Sequence, residues 1–232
     1  MKGMILAAGL GTRLRPFTET HPKALYPVGG KPLLQHALEH MAAVGIQDII
    51  VNVHHFAEQI ISFLDLNQNF GLNIAISDES GELLETGGGL KKAAWFFEGT
   101  DAVVVRNVDI LTDLDLRSLI GAHRNSRALA TLAVRNRVTS RYFLFDNRMN
   151  LCGWCNVNTG ERTESRTCSG SSQYAFSGIQ VIHPQIFSLI IETGSFSLTS
   201  LYLRLAKEYE IAGFVDESPA WEDVGKIKQA LR

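Results

Sequence analysis

Short apolar runs alternate with segments of helical spacing along the first half of the chain. The opening run MKGMILAAG ends in glycines, which predicts a buried first strand followed by a loop. After Pro32, apolar residues recur at positions 34, 38, 41 and 44 until Gly45, which predicts a helix. The alternation continues with strand-like IIVNV, LNIAIS and DAVVV and with helix-like FAEQIISFLDL, GGLKKAAWFF and LDLRSLIGAHR. This order predicts a parallel sheet covered by helices on both faces, with ligands at the carboxyl ends of the strands.

The pattern changes after Ala128. The runs ALATLAV, YFLFD and LCGWC read as strands without intervening helices, which indicates an antiparallel or mixed part of the sheet. The segment 156–172 carries one aliphatic residue, Val157, and is predicted to be a mobile loop or a lid. QYAFSGIQVI and EIAGFV indicate further strands, SLTSLYLRLAKEY indicates a helix, and a last helix is expected to begin within WEDVGKIKQALR. The expected fold class is therefore α/β with a mixed, mainly parallel central sheet.

Composition narrows the class of protein. The chain has 232 residues, 45% of them hydrophobic and 20% charged, which is enough for one large domain or two small ones and excludes disorder. Its net charge of −2 gives no sign of a nucleic-acid surface or a polybasic membrane patch, so a small ligand is the expected partner. Three cysteines are too few for a disulfide framework, and no secretory or membrane-spanning segment is evident. We therefore expect a reduced, cytoplasmic protein in which Cys152 and Cys155 form no zinc or redox site.

The most informative segment is LAAGLGTRLRPFTETHPKALYPVGGKPLL, residues 6–34. Glycine-rich backbone after a strand can turn several N–H groups toward one anion, and Gly9 and Gly11 lie there. Arg13 adds a planar guanidinium, and Lys23 adds a point charge on a loop that four prolines make stiff and non-helical. A tight structural turn would explain the two glycines alone, whereas the whole segment predicts a triphosphate site.

Two familiar phosphate loops do not fit this segment. A Walker loop ends in GK[ST], which is absent here. A dinucleotide fingerprint needs a third glycine where Leu14 stands and an acidic residue after the second strand, where IIVNVHH has none. The predicted site is therefore of another kind.

Two aspartates are candidate metal ligands. Asp109 directly follows the strand DAVVVR, which places it at a carboxyl end beside the predicted phosphate loop. Asp223 lies in WEDVG, far along the chain. Mg²⁺ is commonly held by one or two carboxylates together with substrate phosphates, so this pair could bind it. A loop or N-cap role for Asp109, and an N-cap role for Asp223, are the alternatives.

Residues 6–34 resemble the signature LAAGxGTRLxPxTxxxPKxLxPVxxKP of the sugar-1-phosphate nucleotidyltransferase family. Three further segments agree in order, namely LETGGGL at 84–90, NVDILTDLD at 107–115 and WEDVG at 221–225. LETGGGL, AFSGIQVIHP and WEDVG are most similar to the branch of the N-acetylmuramate 1-phosphate uridylyltransferases, with mannose-1-phosphate guanylyltransferases nearby. The resemblance implies a Rossmann-like three-layer sandwich of the nucleotide-diphospho-sugar transferase type.

The same resemblance implies one domain over residues 1–232, without a β-helix domain. Its nucleotide-binding part would be about 1–125 and its sugar-binding part about 126–232. The implied enzyme transfers a nucleoside monophosphate from an NTP, with UTP favoured, to a sugar 1-phosphate such as N-acetylmuramate 1-phosphate, and releases pyrophosphate. It would serve nucleotide sugar biosynthesis for the cell wall, as a monomer or a homodimer.

Other readings stay open at this stage. A guanylyltransferase for mannose or heptose 1-phosphate and a cytidylyltransferase for phosphocholine share the phosphate loop. A non-catalytic nucleotide-binding regulatory subunit is the alternative from a different class.

The resemblance also implies roles for individual residues. Arg13 and Lys23 would be catalytic, with Lys23 at the reacting phosphates and Arg13 at the pyrophosphate, while Asp109 and Asp223 would hold Mg²⁺. Gly178 would contact the sugar, although a strand glycine that allows close packing is as plausible. The implied nucleotide-binding residues are Ala8, Gly9, Gly11, Thr12, Arg13, Lys23, Gly87, Gly88 and Asn107.

Two positions depart from the family pattern. Val108 replaces a glycine beside Asp109 and could displace that carboxylate slightly. Lys226 replaces a threonine and could contact substrate phosphate or face water. Separately, a cluster of arginines could meet an acidic sugar, although a solvated face is the more ordinary explanation. These arginines are Arg135, Arg137 and Arg141.

Overall fold

A ten-stranded mixed sheet forms the centre of the molecule. In the computed structural model, residues 1–168 and 170–226 are described. The strands are β1 Lys2–Leu6, β2 Pro27–Val28, β3 Lys31–Pro32, β4 Asp48–Val53, β5 Asn73–Asp78, β6 Val103–Asn107, β7 Ile110–Thr112, β8 Ala130–Arg135, β9 Arg141–Phe145, β10 Leu151–Asn156, β11 Arg162–Glu164, β12 Ser172–Ile182, β13 Ile211–Val215 and β14 Trp221–Asp223. The helices are α1 Leu33–Ala42, α2 Ala57–Leu66, α3 Glu85–Lys92, α4 Leu116–Asn125, α5 Ile186–Leu189 and α6 Leu198–Leu205.

The sheet has a parallel half and an antiparallel half. Strands β5, β4, β1 and β6 pair in parallel, in that spatial order. Strand β12 runs antiparallel beside β6, and it also pairs with β8 and β9. Strands β10 and β11 extend the sheet beyond β9, and β13 pairs in parallel with β8. The predicted change from parallel to mixed pairing after Ala128 is confirmed.

Helices cover both faces of this sheet and enclose two hydrophobic cores. Because side chains alternate along a strand, Met4 of β1 points into one core and Ile5 into the other. Helices α1, α2 and α4 contribute to the core that contains Ile5, while α3, α5 and α6 contribute to the other. This arrangement is the expected three-layer α/β sandwich.

Most predicted elements are present, with local differences. The proline-rich stretch after Arg13 contains no α-helix, as expected, but it folds into short 3₁₀ turns and the β2–β3 pair. The helix expected for GGLKKAAWFF is divided into α3 and a 3₁₀ turn at Ala94–Phe97. Trp221–Asp223 is a strand followed by a 3₁₀ turn at Val224–Lys226, and the rest of the expected last helix lies outside the described residues.

The segment 156–172 is not the unstructured loop that its composition suggested. Residues Arg162–Glu164 form β11 and pair with β10, so this prediction is wrong for that part. Arg166 donates hydrogen bonds to the carbonyl oxygens of Ala206 and Tyr209, which attaches the segment to the chain after α6. Pairing and side-chain hydrogen bonds can order a polar segment that has almost no apolar residues to bury.

The expectation that the cysteines stay reduced is also wrong. Cys152 on β10 and Cys168 form a disulfide with their Cα atoms 6.3 Å apart. Cys155 is a free, buried thiol. The C-x-x-C spacing pairs Cys152 with Cys155 in the sequence, but both residues lie on β10 and do not bond to each other. Cys168 bonds to Cys152 because the chain turns back antiparallel after β10.

None of the helices in the described part of the chain is both long and apolar enough to cross a membrane.

A buried histidine makes the stability of this fold depend on pH. His123, in the last turn of α4, lies 2.9 Å from Thr131 Oγ1 through Nδ1. Burial, with smaller effects of His183 and Arg124, lowers the pKa of His123 from 6.5 to about 4. Between these two pH values the unfolded chain binds a proton at His123 and the folded protein does not. The free energy of unfolding is therefore unaffected by His123 above pH 6.5 and decreases as the pH falls from 6.5 toward 4.

We expect His123→Gln to remove the part of the pH dependence of stability that His123 causes. Urea unfolding between pH 7 and pH 4.5 should show that the wild type loses about 2 kcal/mol more stability than the variant, because one pKa unit corresponds to roughly 1.4 kcal/mol. Parallel pH profiles for the two proteins would contradict the assignment.

Candidate active site

The loop after β1 presents free backbone donors at the carboxyl edge of the sheet. The N–H groups of residues 8–11 donate to no acceptor in the part of the chain that the structure describes, whereas Ala7 N–H donates to Asn52 Oδ1 at 2.7 Å. Gly11 has φ +62°, and a Cβ there would lie 2.8 Å from Lys23 Cβ. Glycine is therefore required at position 11, both for the backbone conformation and for the close approach of Lys23.

Lys23 lies opposite this loop, at the start of the 3₁₀ turn Lys23–Leu25. Its ammonium group forms an ion pair and a hydrogen bond with the Asp109 carboxylate, and both side chains are largely buried. Asp109 follows β6 after Val108, whose N–H donates to the carbonyl oxygen of Leu6 at 3.1 Å. Lys23 thus lies at the sheet edge where β1 and β6 end side by side.

The β7–β14 pair brings Asp223 to the same place. Asp223 lies opposite Ile110 in the antiparallel register, and Val224 N–H donates to the carbonyl oxygen of Asp109 at 3.0 Å. A Cβ built on Gly225 would lie 2.8 Å from Lys23 Nζ and 3.1 Å from both Asp109 Oδ2 and Asp223 Oδ1. Two carboxylate oxygens and one ammonium group therefore face a single small space.

The donors around this space fit a hard divalent cation. Mg²⁺ prefers oxygen ligands and needs only one or two carboxylates when substrate phosphates supply the rest. Among the described residues, no group of three or more His, Cys, Asp or Glu side chains could hold a metal without such help. The pair Asp109 and Asp223 matches a cation that arrives with a phosphate ligand.

Two cavities meet at this point. The first has a volume of about 400 Å³, and its lining includes Ala8 and Gly9 of the loop after β1, Lys23, and Glu85 and Thr86 of α3. The second has a volume of about 560 Å³ and is lined by residues of β9, β10, β12 and β14, together with Arg13. Asn107 and Asp109 line both cavities, so a ligand in one can meet a ligand in the other beside the Asp109 carboxylate.

The second cavity has a basic and aromatic wall. Arg137 stacks on Trp221, with its guanidinium carbon 4.1 Å from the ring centroid, and donates a hydrogen bond to the carbonyl oxygen of Phe176. Burial lowers the pKa of Arg137, and the nearby Asp223 carboxylate opposes this effect. Arg141 also lines the cavity. Arg135 does not, because it donates to the buried Asp216 carboxylate at 2.9 Å.

Gly178 lines the second cavity and lies within β12. It has φ +84°, and a Cβ there would lie 2.5 Å from Ile110 Cγ1. The pairing of β12 with β8 shifts register between Phe176 and Gln180. Close packing on β7 therefore explains the glycine, and the predicted sugar contact stays a prediction.

The remaining predicted residues have varied surroundings. Gly87 and Gly88 are buried in α3, and their N–H groups donate to the carbonyl oxygen of Phe196, so packing explains these glycines and base binding stays a prediction. Thr12 is exposed beside Arg13. Val108 is buried in a hydrophobic core, which accommodates its branched side chain. The side chain of Lys226 lies outside the described residues.

Sequence reasoning missed three buried polar residues at the site. Asn52 and Glu79 line the first cavity. Arg106 is fully buried, where burial lowers its pKa to about 10, and it donates to His40 Nδ1 and to the carbonyl oxygen of Ile110. For Asn52 and Arg106 the signal was present in the sequence, because a polar residue inside an apolar strand such as IIVNV or AVVVR must be satisfied internally, whereas nothing comparable marks Glu79.

Comparison with known proteins identifies the class. The nucleotidyl transferase family profile matches residues 2–145. The chain therefore belongs to the nucleotidyl transferase family, and the predicted family and transferase class are confirmed.

Three curated relatives are named as nucleotidyltransferases that act on sugar 1-phosphates. The whole chain is similar, at 33% identity, to 63% of a UTP–glucose-1-phosphate uridylyltransferase of Synechocystis sp.. At 32% identity, 98% of the chain matches 93% of an N-acetylmuramate alpha-1-phosphate uridylyltransferase of Caulobacter vibrioides. A mannose-1-phosphate guanyltransferase of Yarrowia lipolytica is 31% identical, and the chain spans 62% of its length.

A solved structure shows the same fold. HddC from Yersinia pseudotuberculosis, complexed with GMP-PN, superimposes with a TM-score of 0.75 over 97% of this chain and 93% of that chain, at 23% identity. The predicted Rossmann-like α/β class is confirmed.

Proposed function

We propose that this protein transfers a uridylyl group from UTP to a sugar 1-phosphate and releases pyrophosphate. The single observation that carries the proposal is the convergence of Lys23, Asp109 and Asp223 on one space where two cavities meet. One cavity adjoins the free N–H groups of the phosphate loop and is suited to the nucleotide. The other, with its arginines and Gly178, is suited to the sugar 1-phosphate.

The reaction needs no nucleophile from the protein. A phosphate oxygen of the sugar 1-phosphate attacks the α-phosphorus of UTP, a P–O bond forms, and the bond to the departing pyrophosphate breaks with its electron pair. The protein aligns the two substrates and neutralises charge, which are the main sources of catalysis in phosphoryl and nucleotidyl transfer. Lys23 would stabilise the α-phosphate in the transition state, while Arg13 and the loop N–H groups would hold the triphosphate.

Mg²⁺ is the cofactor that the site would take. Asp109 and Asp223 would hold it, and when bound it would neutralise triphosphate charge as a Lewis acid. Lys23 forms an ion pair with Asp109 in the structure, and the nucleotide phosphates are expected to compete with that carboxylate for Lys23.

N-acetylmuramate 1-phosphate is the acceptor that we favour. The Caulobacter relative that the chain matches over 93% of its length is named for that sugar phosphate. Arg137 and Arg141 in the second cavity are consistent with an acceptor that carries an additional carboxylate. We accordingly place the protein in nucleotide sugar biosynthesis.

A pyrophosphate-release screen tests the proposal. UTP, GTP, CTP and dTTP would each be combined with N-acetylmuramate, glucose, mannose and heptose 1-phosphates and with phosphocholine, with and without Mg²⁺. We expect the highest rate with UTP and N-acetylmuramate 1-phosphate, and none after chelation.

The other outcomes are equally informative. A GTP preference would reassign the enzyme as a guanylyltransferase. Binding of nucleotides without pyrophosphate release in any combination would overturn the catalytic proposal and favour a regulatory subunit.

A further inference from the structure

A chain of hydrogen bonds links two segments that line the first cavity. Ala7 N–H donates to Asn52 Oδ1 at 2.7 Å, and Asn52 Nδ2 donates to Glu79 Oε1 at 2.8 Å. Leu84 N–H donates to Glu79 Oε2 at 3.2 Å. The chain begins in the phosphate loop and ends at the residue before α3, so it joins the two walls of the cavity.

The two central side chains are almost inaccessible to solvent. Asn52 is 2% exposed and Glu79 is 0% exposed, although both line the cavity. A buried carboxylate is costly unless its oxygens accept hydrogen bonds, and here no cation among the described residues forms an ion pair with Glu79. Instead, two N–H donors face its two oxygens. A carboxylate can accept at both oxygens, whereas a glutamine amide would turn a donor toward one of them.

The third glycine of ETGGG is explained by this pair. A Cβ on Gly89 would lie 2.6 Å from Glu79 Oε1 and 3.0 Å from Asn52 Nδ2. Helix α3 therefore lies directly on the hydrogen-bonded pair, and position 89 must be glycine for that contact.

The last hydrogen bond of this series, from Leu84 N–H to Glu79, lies directly before a strained backbone position. Glu85, the first residue of α3, has φ +57°, which is uncommon and strained for a residue with a side chain. Both Glu85 and Thr86 line the cavity. The bond from Leu84 N–H to Glu79 holds the backbone directly before this residue.

We infer that Asn52 and Glu79 are a positioning pair for the nucleotide. Neither is a catalytic residue. By fixing the phosphate loop against the start of α3, they set the width of the cavity that receives the nucleoside triphosphate. The inference rests on the proposed function, because it takes the first cavity as the nucleotide site.

Reciprocal exchange of the two side chains provides a sharp test. In Glu79→Gln, an amide N–H₂ faces an N–H donor, and in Asn52→Asp, two carboxylates face each other. In the double variant, the new carboxylate at position 52 accepts from Ala7 N–H and from the new amide at position 79. The oxygen of that amide accepts from Leu84 N–H, so every bond is restored. We expect each single variant to weaken UTP binding in calorimetry by about tenfold and the double variant to recover to within about threefold of wild type.

Separate readouts distinguish positioning from a purely structural role. The KM for the sugar 1-phosphate should stay within about twofold of wild type, because the pair does not touch the second cavity. His123→Gln changes a buried polar residue that lines neither cavity, so this variant should bind UTP like wild type. Gly89→Ala should reproduce the UTP defect without changing either polar residue, and it serves as the probe if a single variant does not fold.

Two results would overturn the inference. One is wild-type UTP affinity in folded Glu79→Gln or Gly89→Ala. The other is a folded double variant that binds UTP as poorly as the worse single variant. Failure of the proposed function is distinguishable, because wild-type protein would then release no pyrophosphate in the substrate screen, whether or not it binds nucleotide.

Discussion

Replacing Lys23 with alanine should lower the turnover of nucleotidyl transfer by about 10²–10³-fold or more. This range corresponds to the loss of one preorganised group that stabilises transition-state charge. Lys23 lies between the phosphate loop and Asp109. A Cβ built on Gly225 would lie 2.8 Å from Lys23 Nζ and 3.1 Å from one carboxylate oxygen of each aspartate. Single-turnover rates of pyrophosphate release at saturating UTP would measure the effect on chemistry.

Lys31→Ala is a matched control for this experiment. Lys31 forms an ion pair with Glu39 on the surface, and both side chains are nearly half exposed, so its removal should leave turnover unchanged. Lys23→Ala should keep its fold, as checked by circular dichroism. A folded Lys23→Ala protein with wild-type turnover would remove Lys23 from the mechanism.

Replacing Asp109 or Asp223 with asparagine should lower turnover by roughly a thousandfold and weaken the response to Mg²⁺. A bound metal supplies several kcal/mol of charge stabilisation, and each 1.4 kcal/mol is about tenfold in rate. Asparagine keeps the shape of the side chain and removes its charge. Calorimetric titration of UTP with and without Mg²⁺ gives a readout that does not depend on turnover.

Asp65→Asn on the exposed side of α2 is the control for the loss of one negative charge, and it should behave like wild type. Asp109→Asn also removes the ion pair with Lys23, so its stability should be compared with that of Asp223→Asn. If both asparagine variants retained the Mg²⁺-dependent gain in UTP affinity, the metal assignment to these aspartates would be wrong.

Sequence reasoning succeeded where the relevant physics is local. The strand, the glycines and the prolines of residues 6–34 restrict one continuous segment, so the loop and the position of Lys23 beside it could be predicted. The same holds for Asp109, because a residue that follows a buried parallel strand must lie at the carboxyl edge of the sheet.

Features that depend on pairing between distant segments were not predictable in the same way. Strands β7 and β14 have three residues each, which is too few for an alternation of apolar and polar residues to reveal a strand. Only the pairing register of these two strands places Asp223 opposite Ile110. The disulfide partner of Cys152 and the strand β11 depend likewise on a turn-back of the chain. Asn52 and Glu79 are far apart in sequence, and the polar residue in IIVNV showed only that some partner was needed.

The β7–β14 pair has a consequence for the order in which the protein becomes functional during synthesis. Domains begin to fold while the ribosome is still adding residues, and the parallel strands β1 and β6, with the segments after them that contain Lys23 and Asp109, emerge before β14. Asp223 emerges more than a hundred residues after Asp109. A nascent polypeptide that ends before Trp221 would contain the free N–H groups of residues 8–11 and Asp109 but would lack Asp223. Catalytic activity would therefore arise late in translation, when β14 completes the second cavity and brings Asp223 into place, and incomplete chains would use little nucleotide.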